Sequence, residues 1–564
     1  MIAQVIVKKK LKNEVLDYKI PEHLSVENFS LVRVPFRNTK AQAIVVGQKE
    51  SSKFALKPID KILSKGPLFT SLQYRLANTL KSDTLSNLNE TMFAFLPLLN
   101  IKDLKVMGAK TKTIIHKPLK PTFYMGSWQE RLEYFCQKSA GSQKQILFVL
   151  PTIDKIEQAR KTIKRISSKS DIFTWHSKLP RAQKARIWQT ILEGKACIII
   201  GSRHSLFLPF VNLEYIFLDD PTNFAYHDDQ APYYNALSIC KQVTIIAKCN
   251  LVVMSALCDL QSFANITKGK IDLDENKTKP KIVFKQSFDN LLRSPFFEKY
   301  LKQKVSKQKR VLIVGRYNEE KIPFCQDCQS TIPLSTQPRN LDSLICPNCS
   351  SAKIKLLGKS ALDETKHIEA NYPFLLNKIG LSASGRPVTV CDINDFYKLK
   401  PAFDTVIFAD FDQIADTPYV GFRYKLFKLI LDTRDLYISQ VIICSNTTEQ
   451  SDFIDQVKTS NWQVFLKDQL KERKKLSLPP FERAVTIKLK TSYSAKKETV
   501  FSELVENLKY FKPVSTIESQ VKDDLLRIKV TGTVAHNKWS DFILDFKTKA
   551  PDGCHIEPDP VELS

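Results

Sequence analysis

Short runs in which apolar and polar residues alternate fill the first hundred positions: AQVIVK, LVRVPF and QAIVVG, punctuated by Pro and Asn. Alternation with period two marks half-buried β-strands. The run LQYRLANTL that follows has helical spacing. From about residue 121 the pattern changes to unbroken apolar runs, ILFVLPTID, IFTWHS, CIIIGSR, EYIFLDD and VVMSALCDL, with helical stretches such as RAQKARIWQTILEG between them. Such runs suit strands covered on both faces, and their alternation with helices predicts a parallel sheet. RVLIVGRYN, PVTVCDI, DTVIFADFD, SQVIICS and WQVFL read as strands of a second parallel sheet. Near the end VTIKLK and LLRIKVTG alternate as strands around a helical SELVENLKYF. The pattern predicts a multidomain α/β protein whose first domain is β-rich and whose last is a small α+β domain.

Length agrees, because 564 residues exceed a single core and imply roughly three to five domains. Lys and Arg outnumber Asp and Glu by 85 to 59, and the net charge of +26 favours a polyanionic partner. The excess is concentrated: residues 1–120 hold 21 basic against 9 acidic residues. The apolar run at the N-terminus is shorter than a secretory signal. No stretch approaches the roughly 20 apolar residues that span a bilayer. A cytoplasmic protein without a membrane partner is therefore expected. Cys197, Cys240, Cys391 and Cys444 stand alone in apolar segments, as buried thiols do in a reducing compartment.

Two clusters carry chemistry. The run EYIFLDD ends on Asp219 and Asp220, and the carboxyl end of a parallel strand is where nucleotide-dependent motors keep the carboxylate that binds magnesium. PFCQDCQ and LICPNCSS supply Cys325, Cys328, Cys346 and Cys349, two C-x-x-C knuckles separated by seventeen residues. That spacing fits one tetrahedral Zn²⁺ held by four thiolates, which leaves no open position and assigns the metal a structural role.

The stretch HSKLPRAQKARIWQTILEGKACIIIGSRHSLFLPFVNLEYIFLDD, beginning at His176, resembles the first motor lobe of the primosomal protein N′ (PriA) family of superfamily II replication-restart DNA helicases. VLDYKIP, LVRVPF and LKPIDKILSKGPLFT resemble that family's 3′-DNA-binding domain, and DQLKERKKLSLPPFERAVTIKL resembles the start of its carboxyl-terminal domain. The resemblance implies a DNA-binding domain over 1–100 and a basic linker over 101–120 where the family's winged helix is missing. It further implies recA-like lobes over 121–262 and 263–470, the second with a zinc-binding insertion at 323–358, and a terminal domain over 471–564. Where the family holds two zincs on eight cysteines, the four here imply one.

In the first domain the resemblance assigns contacts with a DNA 3′ end to Asp17, Tyr18 and Lys57, and places Arg37 where the family has Gly. Chemically, a carboxylate accepts from a terminal hydroxyl, a tyrosine offers a stacking face and a lysine offers charge. Arg37 could block close approach or add a phosphate contact. On the residues alone, Asp17 could as well be a turn residue and Tyr18 half-buried core.

The motor positions have changed. The family's phosphate-loop heptad corresponds to Met125, Gly126, Ser127, Trp128, Gln129, Glu130 and Arg131, so the loop lysine has become Gln129, the magnesium-binding hydroxyl Glu130 and one glycine Trp128. Each change opposes phosphate binding: a positive charge is lost, a negative one is gained and the space for backbone amides is filled. The family's Asp-Glu-Glu-His appears as Asp219, Asp220, Pro221 and Thr222, and its sensor as Met254, Ser255, Ala256, Leu257 and Cys258. An approximate alignment leaves Leu436 and Ser439 at the places of the arginines that reach the γ-phosphate, with Arg434 nearby. These changes argue against bound ATP and magnesium. They predict a factor that recognises forked or 3′-ended DNA and works with replication-restart or single-strand-binding proteins without hydrolysing ATP. An active, divergent ATP-dependent 3′–5′ helicase is the other reading left open.

Overall fold

The computed structural model describes residues 1–564 apart from positions 10, 12–13, 53–55, 85, 98–106, 109–118, 167–170, 229–233, 276–281, 287–294, 316–321, 329–344, 347–348, 358–360, 382–385, 394–395, 397–402, 410, 412–420, 434–437, 439, 446–451, 493–494, 515–517, 523–524, 551–553 and 559–564. Two compact units result: Met1–Asn276 with Leu466–Ser564, and Lys277–Phe465.

The first unit begins with a five-stranded antiparallel sheet of β1 (Ile2–Val7), β2 (Val15–Lys19), β3 (Ser30–Phe36), β4 (Thr39–Lys49) and β5 (Lys61–Pro67), in the order β2-β1-β4-β3-β5. Alternation in these strands sends Ala3, Val5, Val7, Val32, Val34, Ala43 and Val45 to one core. The sheet curls until its edges are tied. The Lys19 amide donates to the Lys57 carbonyl at 3.0 Å, the Ile59 amide to the Lys19 carbonyl at 3.0 Å, and the Asp60 amide to the Arg33 carbonyl at 2.9 Å. Tying the edges removes the unpaired rows that an open sheet would expose.

Helices Ser71–Thr84 and Leu88–Phe95 lead from this sheet to a seven-stranded parallel one. Its strands are β6 (Thr122–Met125), β7 (Gln145–Val149), β8 (Ile172–Trp175), β9 (Cys197–Gly201), β10 (Leu213–Asp219), β11 (Asn250–Ser255) and β12 (Asp272–Glu275), in the order β12-β6-β11-β10-β7-β9-β8. The four central strands are buried along nearly their whole length, which is why they read as unbroken apolar runs. The two sheets' layers lock together through specific bonds. The Trp188 indole N–H donates to the Leu68 carbonyl at 2.9 Å and the Gln73 side-chain amide to the Phe207 carbonyl at 2.8 Å, while Phe95 stacks on Phe207 at 4.3 Å. Of the expected linker, only Met107, Gly108, Leu119 and Lys120 are described. The Met107 carbonyl accepts from the Lys65 amide and the Gly108 amide donates to Gln189 Oε1, each at 2.9 Å. A Cβ at Gly108 would stand 2.5 Å from the Gly66 backbone, so glycine is required for this approach.

The carboxyl-terminal part of the same unit is a five-stranded antiparallel sheet built on two eleven-residue strands, Glu482–Ser492 and Leu525–Ala535. Val485, Ile487, Leu489, Ile528 and Val530 pack under helices Ala495–Asn507 and Trp539–Lys549. WQVFL, expected as a strand, instead opens the helix Trp462–Lys475. A five-residue apolar run cannot distinguish the two periods. The charged continuation KDQLKERKK is made of strong helix formers, and burial of Phe465, Leu466 and Gln469 follows a helical face.

The second unit holds a parallel sheet of β13 (Ile282–Gln286), β14 (Val311–Gly315), β17 (Ile379–Leu381), β18 (Val388–Asp392), β19 (Thr405–Phe408) and β20 (Gln440–Ser445), in the order β13-β20-β19-β14-β18-β17. Between β14 and β17 the chain forms an antiparallel pair, β15 (Ile322–Cys325) with β16 (Ile354–Leu357).

Candidate functional site

The loop between β6 and the helix Trp128–Ser139 is the one that the resemblance sets at the place of a phosphate loop, and its local chemistry is that of a helix cap. Ser127 is the N-cap: its Oγ accepts from the Glu130 amide at 3.5 Å, and Glu130 Oε2 accepts from the Ser127 amide at 2.6 Å. A capping box satisfies two orphan amide donors of the first helical turn. The carboxylate that does this is an anion placed at the helix N-terminus, where a bound phosphate would sit in a nucleotide-binding loop. Gly126 donates its amide to the Ser255 carbonyl at 3.1 Å, joining the loop to the end of β11. Gln129 faces away from the loop and donates to Glu133 at 3.0 Å.

The next residue completes the arrangement. Arg131 is 2% exposed and sends its guanidinium back toward β10, where Nε lies 2.7 Å from Asp219 Oδ1 and an Nη donates to the Gly126 carbonyl at 2.8 Å. Lys155, from the helix Ile153–Ile166, stands 3.7 Å from the second Asp219 oxygen. Trp128 covers both cations, its ring centroid 5.7 Å from the Arg131 guanidinium and 4.5 Å from the Lys155 ammonium. Beneath them the fully buried Tyr226 donates its hydroxyl to the Asp219 carbonyl at 2.6 Å. Burial drives that phenol's pKa well up, so it stays a donor. Asp219 is therefore a buried carboxylate whose countercharges come from the chain itself.

Asp220, at the place of the family's catalytic Glu, lies in the left-handed region with φ 53°. Its amide donates to the Met254 carbonyl at 2.7 Å, and its carboxylate accepts from Thr222 Oγ1 at 3.3 Å and Asn223 Nδ2 at 3.1 Å. The side chain is held within its own turn. Leu436, Ser439 and Arg434 lie outside the described residues. Asp432, at the head of that aligned segment, forms a buried ion pair with Lys428 at 2.7 Å.

In the curled sheet, Asp17 points outward from β2 and its Oδ2 meets Lys49 Nζ at 2.6 Å and Ser52 Oγ at 3.3 Å. The stacking face expected of Tyr18 is not presented: the ring sits in the core at 6% exposure, with its hydroxyl donated to the Pro35 carbonyl at 2.9 Å. Burial raises the phenol pKa, and the hydrogen bond offsets the cost of burying the hydroxyl. Asp17 and Tyr18 necessarily face opposite sides of a strand, so only one of them can reach solvent. Arg37 and Lys57 are exposed. Arg37 is the first residue of the tight turn between β3 and β4, with φ 51°, a conformation that favours glycine.

The four knuckle cysteines come together. Their Sγ atoms all lie within 4.8 Å of one another, with Cys325–Cys349 and Cys328–Cys346 each at 3.5 Å. A tetrahedral ion with bonds of about 2.3 Å needs sulfurs about 3.8 Å apart, so this donor set fits a metal. The Cys328 and Asp327 amides point at the Cys325 sulfur and hold its pKa below the usual thiol value, which favours the ligating thiolate.

Comparisons with known proteins show what the chain is similar to. A family model described as the 3′DNA-binding domain (3′BD) of PriA matches residues 4–97. The replication restart protein PriA of Rickettsia conorii is 24% identical over 96% of this chain and 97% of its own length. The chain is similar to PriA over nearly its whole length, at low identity. The PriA of Rickettsia felis is 28% identical over 56% of this chain and 53% of its own. Among solved structures, RecG bound to a three-way DNA junction covers 72% of this chain and 47% of its own at 13% identity, with a TM-score of 0.37. The matched residues span the sheet β1–β5 and the two helices that follow it, and no helix among the described residues is long and apolar enough to cross a membrane.

What sequence reasoning missed is Arg131, Lys155 and Lys49. Arg131 had a signal: in WQERLEYF it shares a helical face with Trp128, Leu132 and Phe135, and a charge on an apolar stripe needs a buried partner.

Proposed function

We propose that this chain is a DNA-binding replication-restart factor of the PriA type that recognises forked or 3′-ended DNA and does not hydrolyse ATP. The observation that carries the reading is the buried Arg131–Asp219 pair at 2.7 Å. The carboxylate that would hold magnesium is neutralised by an internal cation, and the helix N-terminus that would hold phosphate is capped by Glu130. A magnesium nucleotide would have to break a desolvated ion pair and expel a carboxylate. The residues present do not fit that ligand. DNA binding is supported by the match of residues 4–97 to a 3′-DNA-binding domain and by the net charge of +26.

On the same reading Cys325, Cys328, Cys346 and Cys349 hold one structural Zn²⁺, and Asp17, Arg37 and Lys57 face the DNA end while Tyr18 fixes the strand beneath them. The buried cysteines, none of them in a disulfide among the described residues, support a cytoplasmic location, and the restart role supports replication-restart or single-strand-binding proteins as partners. The test is fork binding by fluorescence anisotropy with and without saturating magnesium ATP. Tight binding unchanged by ATP is expected. A Kd that moves several-fold with ATP sinks the nucleotide part of the proposal, and failure to bind forks at low salt sinks the DNA part.

A further inference from the structure

The end of the curled sheet carries an unusual charge pattern. Tyr18 bonds to the Pro35 carbonyl and Lys19 to the Lys57 carbonyl, so Asp17, Lys57 and the turn that begins at Arg37 share one end of the sheet. Asp17 is the acceptor there, yet Lys49 at 2.6 Å and Ser52 at 3.3 Å already occupy one of its oxygens. The other carboxylate of this surface, Asp60, is shared by two cations, Arg33 and Lys40, whose bonds to it hold its pKa below the usual range. Among the described residues no carboxylate pairs with Arg37 or Lys57; the Arg37 guanidinium rests over the Phe36 ring at 5.7 Å. Five cations thus meet two carboxylates, and Arg37 and Lys57, both exposed, have no acid partner among the described residues.

Arg37 also occupies a costly position. A non-glycine residue held in the left-handed region costs on the order of 1 kcal/mol or more, and such residues cluster where ligands are clamped. The side chain gained at this cost is a fork of five N–H donors with no acceptor. A terminal 3′-hydroxyl asks for an acceptor. A terminal 3′-phosphate asks for donors and net positive charge, and is repelled by a bare carboxylate.

Resting on the reading of this domain as a DNA-end binder, we propose that the site selects strands ending in a 3′-phosphate, with Arg37 as the specificity-determining residue. Lys49 removes the repulsion by neutralising Asp17, and Arg37 and Lys57 supply the donors. The reaction class that makes such ends is backbone cleavage that leaves the phosphate on the 3′ side, so the site would recognise interrupted strands that a polymerase cannot extend.

The test uses the full chain and forks that are identical except at the strand end: 3′-phosphate, 3′-hydroxyl or 3′-deoxy. One charge-assisted hydrogen bond corresponds to about a tenfold change in affinity, so the phosphate fork should bind about tenfold more tightly than the other two. Arg37→Gly relieves the backbone strain, should fold at least as well as the parent, and should abolish the preference while retaining fork binding. Arg37→Lys should keep part of it. Equal binding of all three ends, or a preference for the hydroxyl, overturns this inference and leaves fork binding intact. Absence of binding to every fork at low salt overturns the underlying reading and this one together.

Discussion

Replacing Arg131 with Met tests whether the loop after β6 is held by a desolvated ion pair. Arg131 and Asp219 are 2% and 0% exposed and 2.7 Å apart. With an effective dielectric of about 20, their attraction is about 6 kcal/mol, offset by the cost of taking both charges out of water. Removing only the guanidinium leaves that cost on Asp219 with a single, more distant cation, Lys155 at 3.7 Å. The loss should be about 3–5 kcal/mol. Arg131→Met/Asp219→Leu removes both charges and should recover most of it, giving a coupling energy of more than about 2 kcal/mol. Lys155→Met, which alters a partner 32% exposed, should cost about 1 kcal/mol or less. The assay is urea unfolding followed by tryptophan fluorescence, to which Trp128 beside the pair contributes a local signal. A single Arg131→Met variant within about 1 kcal/mol of the parent, or strictly additive single and double variants, would refute the reasoning.

Other predictions follow from local geometry. Glu130→Ala deletes the capping box and should cost about 1 kcal/mol, while Glu130→Gln, which keeps an acceptor, should cost less; unfolding midpoints separate them. His227, whose pKa is lowered to about 4 by burial and by Arg203, gives acid sensitivity. Its contribution is complete above the unfolded value of about 6.5 and is lost as pH falls toward 4, at most about 3 kcal/mol. His227→Phe should flatten the stability profile in that window, and an unchanged slope would count against it. Metal analysis should find one zinc per chain, and Cys346→Ser should lose it with a lowered Tm; a fully metal-free parent that melts at the same temperature would contradict the site. Tyr18→Phe should destabilise by about 1 kcal/mol through its lost bond to Pro35, with little change in fork affinity at a fixed salt concentration.

The parallel sheets were legible because strands buried on both faces leave unbroken apolar runs: β9 falls within the run that announced it, and β7, β10 and β11 begin one or two residues before theirs. The cysteine cluster was legible because two knuckles determine most of its geometry. The short strand β6 was not, since TFYM is too brief to show a period, and the helix at WQVFL was misread for the same reason. At the loop after β6 the sequence showed which residues depart from the family's pattern but not what they bond to. Arg131 and Asp219 are 88 positions apart, and only the folding of β6 beside β11 and β10 brings them together. Likewise, nothing near Asp17 announces Lys49, which reaches it across the register of β1 between β2 and β4.

The central claim is that the chain has the skeleton of a replication-restart helicase without its engine. DNA-stimulated ATP turnover by the full chain, measured with fork DNA and magnesium and with Gln129→Lys as comparison, tests it most directly. The account predicts no turnover above background in either protein, because restoring one lysine leaves Glu130 on the helix cap and Arg131 on Asp219. Robust, fork-dependent turnover by the parent chain would contradict it.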